Sequence, residues 1–499
     1  MGIRRFRLAT LLLACATGVG EAAVVVNPIP PIQPGLSVGI EKFTNVPASQ
    51  LNLARTGAQG LKAVDDGSGR LFIPDSRGVL YVTTTAGGTP TPYLDLRAQN
   101  IGFSNAADPT QTGLMSVAFH PNFGKDPQKP GYNIFYTIDT TAAGAGQSDW
   151  PSGASPASHD DVVREWTVAD PTASTAQILS QREVMRAAQP ERDHGPGTIA
   201  FNPAATEGSA DYGKLYIGLG DGGGVNDPLN NAQNLQTPFG KILRIDPTDP
   251  DGAGPLSYGT PADNPLVGDV GARGEVWAYG LRNPQHFSWD ESGRMIIADI
   301  GQEQIDEVNI GMAGANYGWP LREGTFAHSP DKGDTNIYDS PANGGLYVDP
   351  IGQYDHEEIQ RDGLSRLASI GGAFVYEGDL VPALDGMILL SDLVSGRLFY
   401  FDPADAIGGP AMLRELLLTM DGLAVTLRDL EGYGGQRRVD LRLGVDADGE
   451  IYMITKGDGA IYRFAANGVP EPATWLSMIL GLGLAGAALR RRQRRVRLA

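Results

Sequence analysis

The chain of 499 residues is 41% hydrophobic, which suits a globular protein with a sizeable core and excludes both a disordered chain and a wholly membrane-embedded one. A formal net charge of −19 argues against nucleic acid or an anionic lipid surface as a partner, because like charges repel their phosphate groups. The single cysteine, Cys15, leaves any mature chain that starts beyond it without a disulfide framework, a thiolate metal site or a cysteine nucleophile.

In chain order, residues 1–23 read as a secretory signal peptide. Arg4, Arg5 and Arg7 precede an apolar stretch over 8–19, and small residues around Ala22 offer a cleavage point. Residues 12–15 (LLAC) also have the form of a lipobox, so acylation of Cys15 is a second reading. Removal of this segment, and of the arginine-rich C-terminus, leaves a body between them more acidic than the whole.

The 66 glycines and 35 prolines of the whole chain are spread rather than clustered, and between residues 24 and 468 they suit an all-β protein with many turns. A short apolar run behind a glycine recurs at 69–73 (GRLFI), 131–137 (GYNIFYT), 213–219 (GKLYIGL), 293–298 (GRMIIA), 386–390 (GMILL) and 449–454 (GEIYMI). Each is too uniformly apolar for a half-exposed strand, so each is expected to be buried on both faces by neighbouring sheets. This repetition predicts a six-bladed β-propeller with long top-face loops, of roughly 74 residues per unit, with a pair of β-sandwiches as the alternative. Residues 36–46 are expected to supply the outer strand that closes the last unit.

Polar constellations fall beside these strands. Residues 191–197 (ERDHGPG) place His194 among charges and glycines, where a neutral imidazole can take a proton from a hydroxyl and a neighbouring carboxylate such as Asp193 can orient it. On its own this pattern fits a structural histidine as well. Residues 220–224 (GDGGG) allow close approach of backbone to a ligand, and equally a plain turn. Residues 277–285 (WAYGLRNPQ) carry Arg282, which can polarise a carbonyl or clamp loops, and carbonyls near Gly301 can serve a hard cation such as calcium.

The C-terminus combines Val469-Pro470-Glu471-Pro472, an apolar run over 473–489 and six arginines from Arg490 onward. The apolar run just reaches the length of a spanning helix, and the arginines would hold its end in the cytoplasm. This arrangement resembles the PEP-CTERM sorting signal. The resemblance implies export to the periplasm, outer surface or beyond, a tether initially through 469–499, and processing by an exosortase-type enzyme; a plain C-terminal anchor is the alternative.

Several motifs in one order carry a second resemblance. Residues 111–121 (QTGLMSVAFHP), 192–197 (RDHGPG), 239–245 (FGKILRI), 279–284 (YGLRNP), 314–320 (GANYGWP), 371–378 (GGAFVYEG), 395–398 (SGRL) and 445–452 (VDADGEIY) are similar to the PQQ-dependent aldose sugar dehydrogenases, the glucose/sorbosone dehydrogenase family, over roughly residues 36–466. That resemblance implies a six-bladed propeller carrying PQQ and Ca2+, with a sugar as substrate and an external electron acceptor. It implies His194 as general base with Asp193 beside it, and Arg282 stabilising the quinone oxyanion. Gln111, Asp221 and Asn283 match cofactor-pocket positions, and Gly301 and Gln302 match the backbone calcium ligands. The lysine and two arginines that hold the PQQ carboxylates in glucose dehydrogenases are replaced here by Val394, Val439 and Leu441, with Arg397, Arg437, Arg438 and Arg442 as candidate substitutes. A propeller of the same lineage that has lost PQQ and acts as a carbohydrate-binding or calcium-stabilised scaffold is the alternative function; a calcium-dependent lactonase using His194 is a third.

Overall fold

The computed structural model describes residues 23–49, 55–107, 111–150, 156–248, 257–329, 331, 333–339, 345–356, 368–431 and 438–465. Residues 1–22 of the expected signal, the apolar run 473–489 and Arg437 lie outside them. Among the described residues no helix is long and apolar enough to cross a membrane.

The chain is all-β, and each recurring apolar run becomes the second strand of a four-stranded antiparallel meander. The first meander holds Leu61–Ala63, Arg70–Asp75, Val79–Thr84 and Thr91–Asp95. Next come Ser116–Phe119, Ile134–Ala142, His159–Val168 and Ile178–Gln189, then Pro196–Phe201, Leu215–Leu219, Lys241–Ile245 and Val276–Tyr279. They are followed by His286–Trp289, Met295–Asp299, Ile305–Gly311 and Gly352–Asp355, and by Ile370–Val375, Ile388–Asp392, Leu398–Phe401 and Arg414–Met420. The last meander, Leu441–Val445, Ile451–Thr455 and Ala460–Phe464, takes its outer strand from the other end of the chain, Gln33–Asn45.

Five of the six second strands are buried along their whole length because neighbouring sheets cover both their faces. Arg70–Asp75, Leu215–Leu219, Met295–Asp299, Ile388–Asp392 and Ile451–Thr455 are buried at every position. The core is therefore divided into clusters between adjacent sheets. Each fully buried Leu, Ile or Phe in them contributes about 1.5–3 kcal/mol.

The first strands of the meanders stand side by side. Ser116–Phe119 packs on Pro196–Phe201, His286–Trp289 on Ile370–Val375, and Leu441–Val445 pairs in parallel with Leu61–Ala63 through Gly444 and Leu61. As a result Gln59, Met115, Gly197, Gln285, Gly371 and Arg442, drawn from the starts of six different first strands or the residues just before them, line one cavity. A separate small sheet of Val24–Val25, Ile337–Tyr338, Phe326–His328 and Arg322–Glu323 joins the N-terminal end of the described chain to the long connection within the fourth meander.

Candidate active site

The loops leading into the first strands and out of the second strands meet at one end of this cavity. His194 enters just before Pro196–Phe201 with φ +52, a left-handed backbone uncommon for a residue with a side chain. Gly220 makes room for it: a Cβ there would come 2.4 Å from the His194 carbonyl oxygen. In this conformation the imidazole is buried and its Nδ1 lies 2.7 Å from Oδ1 of Asp221, at the end of Leu215–Leu219. The same carboxylate accepts the Gly223 N–H at 3.0 Å on Oδ1 and the Trp319 indole N–H at 2.8 Å on Oδ2. Burial would raise the Asp221 carboxyl, but the charge and hydrogen bond of His194, with Arg282 beyond, hold it below its ordinary value.

The partner of His194 is therefore Asp221, expected in the cofactor pocket, and not its sequence neighbour Asp193. The left-handed turn at residue 194 sends the ring towards the 220–224 turn. Asp193 instead turns an oxygen towards Gly223, to within 2.5 Å of where a Cβ would stand.

Arg282 and Asn283 follow Val276–Tyr279. Their backbone N–H groups donate to the two oxygens of Asp299, at 2.9 and 2.7 Å. Burial and the charge of Glu307 push Asp299 well above its usual range, and burial pushes Glu307 up to about 7. The Arg282 guanidinium lies over the Trp319 ring and donates through Nη1 to the carbonyls of Ile300 and Gly301, at 3.1 and 2.6 Å. The expected metal ligand Gly301 thus faces a positive charge through its carbonyl. Gln302 turns its side chain away, making reciprocal hydrogen bonds of 2.6 and 2.7 Å with Asn226. Oε1 of Glu323 accepts the N–H groups of Gln302, Glu303, Gln304 and Ile305 together, so the small sheet holds this loop in shape.

Arg442 opens Leu441–Val445 and donates to Gln285 Oε1 at 3.0 Å. Asp440 draws three cations together: Arg442 at 3.6 Å, Arg438 at 3.5 Å and Lys456 at 3.5 Å. Burial would raise Asp440, but Lys456, Arg438 and Arg442 hold it far below the usual carboxylate range. Burial lowers Lys456 to about 7 despite Asp440. Lys456 also reaches Gln59 Oε1 at 3.2 Å, which brings it to the same cavity. Arg397 is bound bidentately to Glu415 at 2.9 and 2.7 Å, on the neighbouring strand. Gln111 lies half-buried in the turn before Ser116–Phe119.

Sequence reasoning missed Lys456, Glu323 and the roles of Asp221 and Trp319. Lys456 had a readable signal, since it follows the GEIYMI run as Gly220-Asp221 and Gly301 follow their own second strands.

Arg442 Nε, Gln59 Nε2 and His286 Nδ1, on residues that line the cavity, and Arg282 Nε and Asn283 Oδ1, just before Gln285 in the chain, are buried without a hydrogen-bond partner. Buried polar groups are seldom left so, and this set of donors and acceptors fits a planar polyfunctional anion such as PQQ. For calcium, the carbonyls of Ile300 and Gly301 converge on one cationic point, now taken by Nη1 of Arg282. Among the described residues no group of three or more His, Cys, Asp or Glu could hold a metal.

A model of the glucose / sorbosone dehydrogenase family matches residues 58–463. The chain belongs to that family. The PEP-CTERM protein-sorting motif matches residues 468–493, which marks an exported protein with a C-terminal sorting segment. Among relatives of this family member, the HIPL1 protein of Arabidopsis thaliana is 29% identical over 487 residues, covering 88% of this chain and 64% of its own, so the chain spans less than two thirds of that relative. Aldose sugar dehydrogenase YliI of Escherichia coli (strain K12) is 39% identical over 110 residues, 22% of this chain and 26% of that protein. The PQQ-bound aldose sugar dehydrogenase of Streptomyces coelicolor shares the fold, with a TM-score of 0.53 at 22% identity over 86% of this chain and 99% of the other.

Proposed function

We propose that this chain is an exported six-bladed β-propeller that oxidises an aldose-type sugar with PQQ and passes the electrons to an external acceptor. The observation that carries this reading is the buried His194–Asp221 pair, whose Asp221 N–H donates to the Arg282 carbonyl at 2.7 Å, on loops that run into a cavity lined by Arg442 and reached by Lys456 through Gln59.

With Nδ1–H donated to Asp221, Nε2 of His194 keeps a lone pair for the proton of the anomeric hydroxyl, and Asp221 stabilises the imidazolium that forms. PQQ, when bound, supplies the carbonyl that accepts the hydride. Arg282 stabilises negative charge on that oxygen without giving up a proton. Asn283 presents Oδ1 to the cofactor, and Gln111 flanks its pocket. The backbone carbonyl of Gly301, beside that of Ile300, would hold Ca2+ once Arg282 Nη1 moves off, with the Gln302 carbonyl as the further ligand that the family resemblance implies.

Arg442 and Lys456, with Arg438 at the rim, take the place of the absent carboxylate anchors. Arg397, held by Glu415, does not. The segment from 469 onward tethers the protein until an exosortase-type enzyme processes it.

The test is reconstitution of apo-protein with PQQ and Ca2+, followed by dye reduction with a panel of aldoses. His194→Ala is expected to abolish turnover with PQQ still bound, and Arg442→Leu to weaken PQQ binding in calorimetry. A folded protein that binds no PQQ would overturn this reading in favour of the scaffold.

A further inference from the structure

One buried cluster near this site takes no part in the chemistry above. His159 and Asp161 lie two residues apart on His159–Val168 and so face the same side of the sheet; Gln189 sits directly across the ladder from His159. All three are buried, yet His159 Nε2, both carboxylate oxygens of Asp161 and Gln189 Oε1 make no hydrogen bond. His159 Nε2 and Asp161 Oδ1 are 3.1 Å apart but not aligned as donor and acceptor. Two ligands held at about 2.1 Å from one metal ion stand roughly 3.1–3.4 Å from each other. The other ring nitrogen, Nδ1, lies 3.3 Å from Ser158 Oγ; a proton donated there leaves Nε2 with a free lone pair close to the carboxylate. Two lone pairs in a buried space repel, and an unpaired buried carboxylate is costly, unless a cation lies between them.

The space beside Gly195 is bordered by His159 Nε2, Asp161 Oδ1 and the amide nitrogen of Gln189. A Cβ built on Gly195 would lie 3.5 Å from His159 Nε2, 3.7 Å from Asp161 Oδ1 and 3.8 Å from Gln189 Nε2.

We propose that His159 and Asp161, with Gln189 bordering the site, bind one divalent transition-metal cation behind the loop that carries His194. An imidazole nitrogen beside a carboxylate suits an ion of the zinc or manganese class, whereas calcium takes oxygen ligands alone. The ion would neutralise Asp161 beside Gln189, whose Nε2 donates to the carbonyls of Asp193 and His194 at 2.9 and 3.2 Å. It is a structural ion for the loop, independent of PQQ and of the carbonyls at 300 and 301.

The test uses the full chain, stripped with a chelator, given Zn2+, Mn2+, Co2+ or Ca2+ singly, and desalted before metal analysis. The wild type is expected to retain about one equivalent of a transition ion, with visible absorption bands for Co2+ and a raised melting temperature. Gly195→Ala adds a methyl group at ordinary contact distances, so it fills the space without disrupting the fold; it and Asp161→Asn are expected to lose the ion while circular dichroism stays native. Failure of the wild type to retain any transition ion, or equal retention by Gly195→Ala, overturns the site and leaves a cavity holding water or a proton. None of these readouts depends on dehydrogenase activity.

Discussion

Nδ1 of His194 and Oδ1 of Asp221 stand 2.7 Å apart although 27 residues separate them in the chain. A single buried carboxylate thereby orients the ring of one loop from the end of the neighbouring strand. Asp221→Asn keeps the size of the side chain but removes the charge that supports an imidazolium. Steady-state kinetics of the reconstituted enzyme are expected to show kcat lowered by about 10²–10⁴, the range of a general base.

Trp319 donates to the other oxygen of Asp221 from the long connection of the fourth meander. Trp319→Phe keeps an aromatic ring near Arg282 but removes the N–H together with part of the indole. Leaving that buried oxygen unpaired is expected to cost about 1–3 kcal/mol in denaturant unfolding.

Glu307 is pushed up to about 7 by burial, against an ordinary value of 4.5. A carboxyl that binds its proton more tightly when folded contributes stability that is full below 4.5 and lost as pH rises through about 7. Glu307→Gln stays neutral throughout, and the unpartnered Oδ1 of Asn309 can turn to accept its amide. The variant is expected to melt higher than wild type at pH 8, with the difference shrinking towards pH 4.5 in thermal scans.

Lys456 titrates near 7 and Arg442 does not. Affinity for an anionic ligand at the cavity mouth is expected to fall as pH rises through this range, because the lysine gives up its charge. Lys456→Met should flatten that dependence, as measured by calorimetric titration of PQQ at pH 6 and pH 8.

Gly301 has no space for a side chain: a Cβ would lie 1.7 Å from the backbone oxygen of Ile305. Gly301→Ala is expected to displace the loop that Glu323 holds, costing about 1–3 kcal/mol and lowering calcium affinity, with the β-sheet circular dichroism unchanged.

The architecture was legible because a strand covered on both faces must be apolar throughout, and a glycine turn precedes it each time. The long strand from residue 33 was legible for a related reason, since a meander left with three strands demands a fourth. The site was legible in its loops but not in its pairings. Proximity in sequence pointed to Asp193, yet one left-handed residue turned the ring elsewhere. Arg397 looked available because nothing nearby in the chain opposes it; Glu415 reaches it only through strand pairing. Lys456 and Glu323 gain their meaning from distant partners, Asp440 and a run of four backbone N–H groups, which no local pattern encodes.

Among the described residues Gln33–Asn45 pairs only with the distant Arg414–Met420 and Ala460–Phe464, so this early strand waits for the last part of the chain before its ladder is complete. Closure thus requires nearly the whole polypeptide, since the ring is sealed through residues 460–464. A chain cut short before residue 460 would leave an open seam with a bare edge on each side, vulnerable to proteases and to pairing with its neighbours. The sorting motif begins only four residues beyond that seam, so release from the tether would follow a body that is already locked.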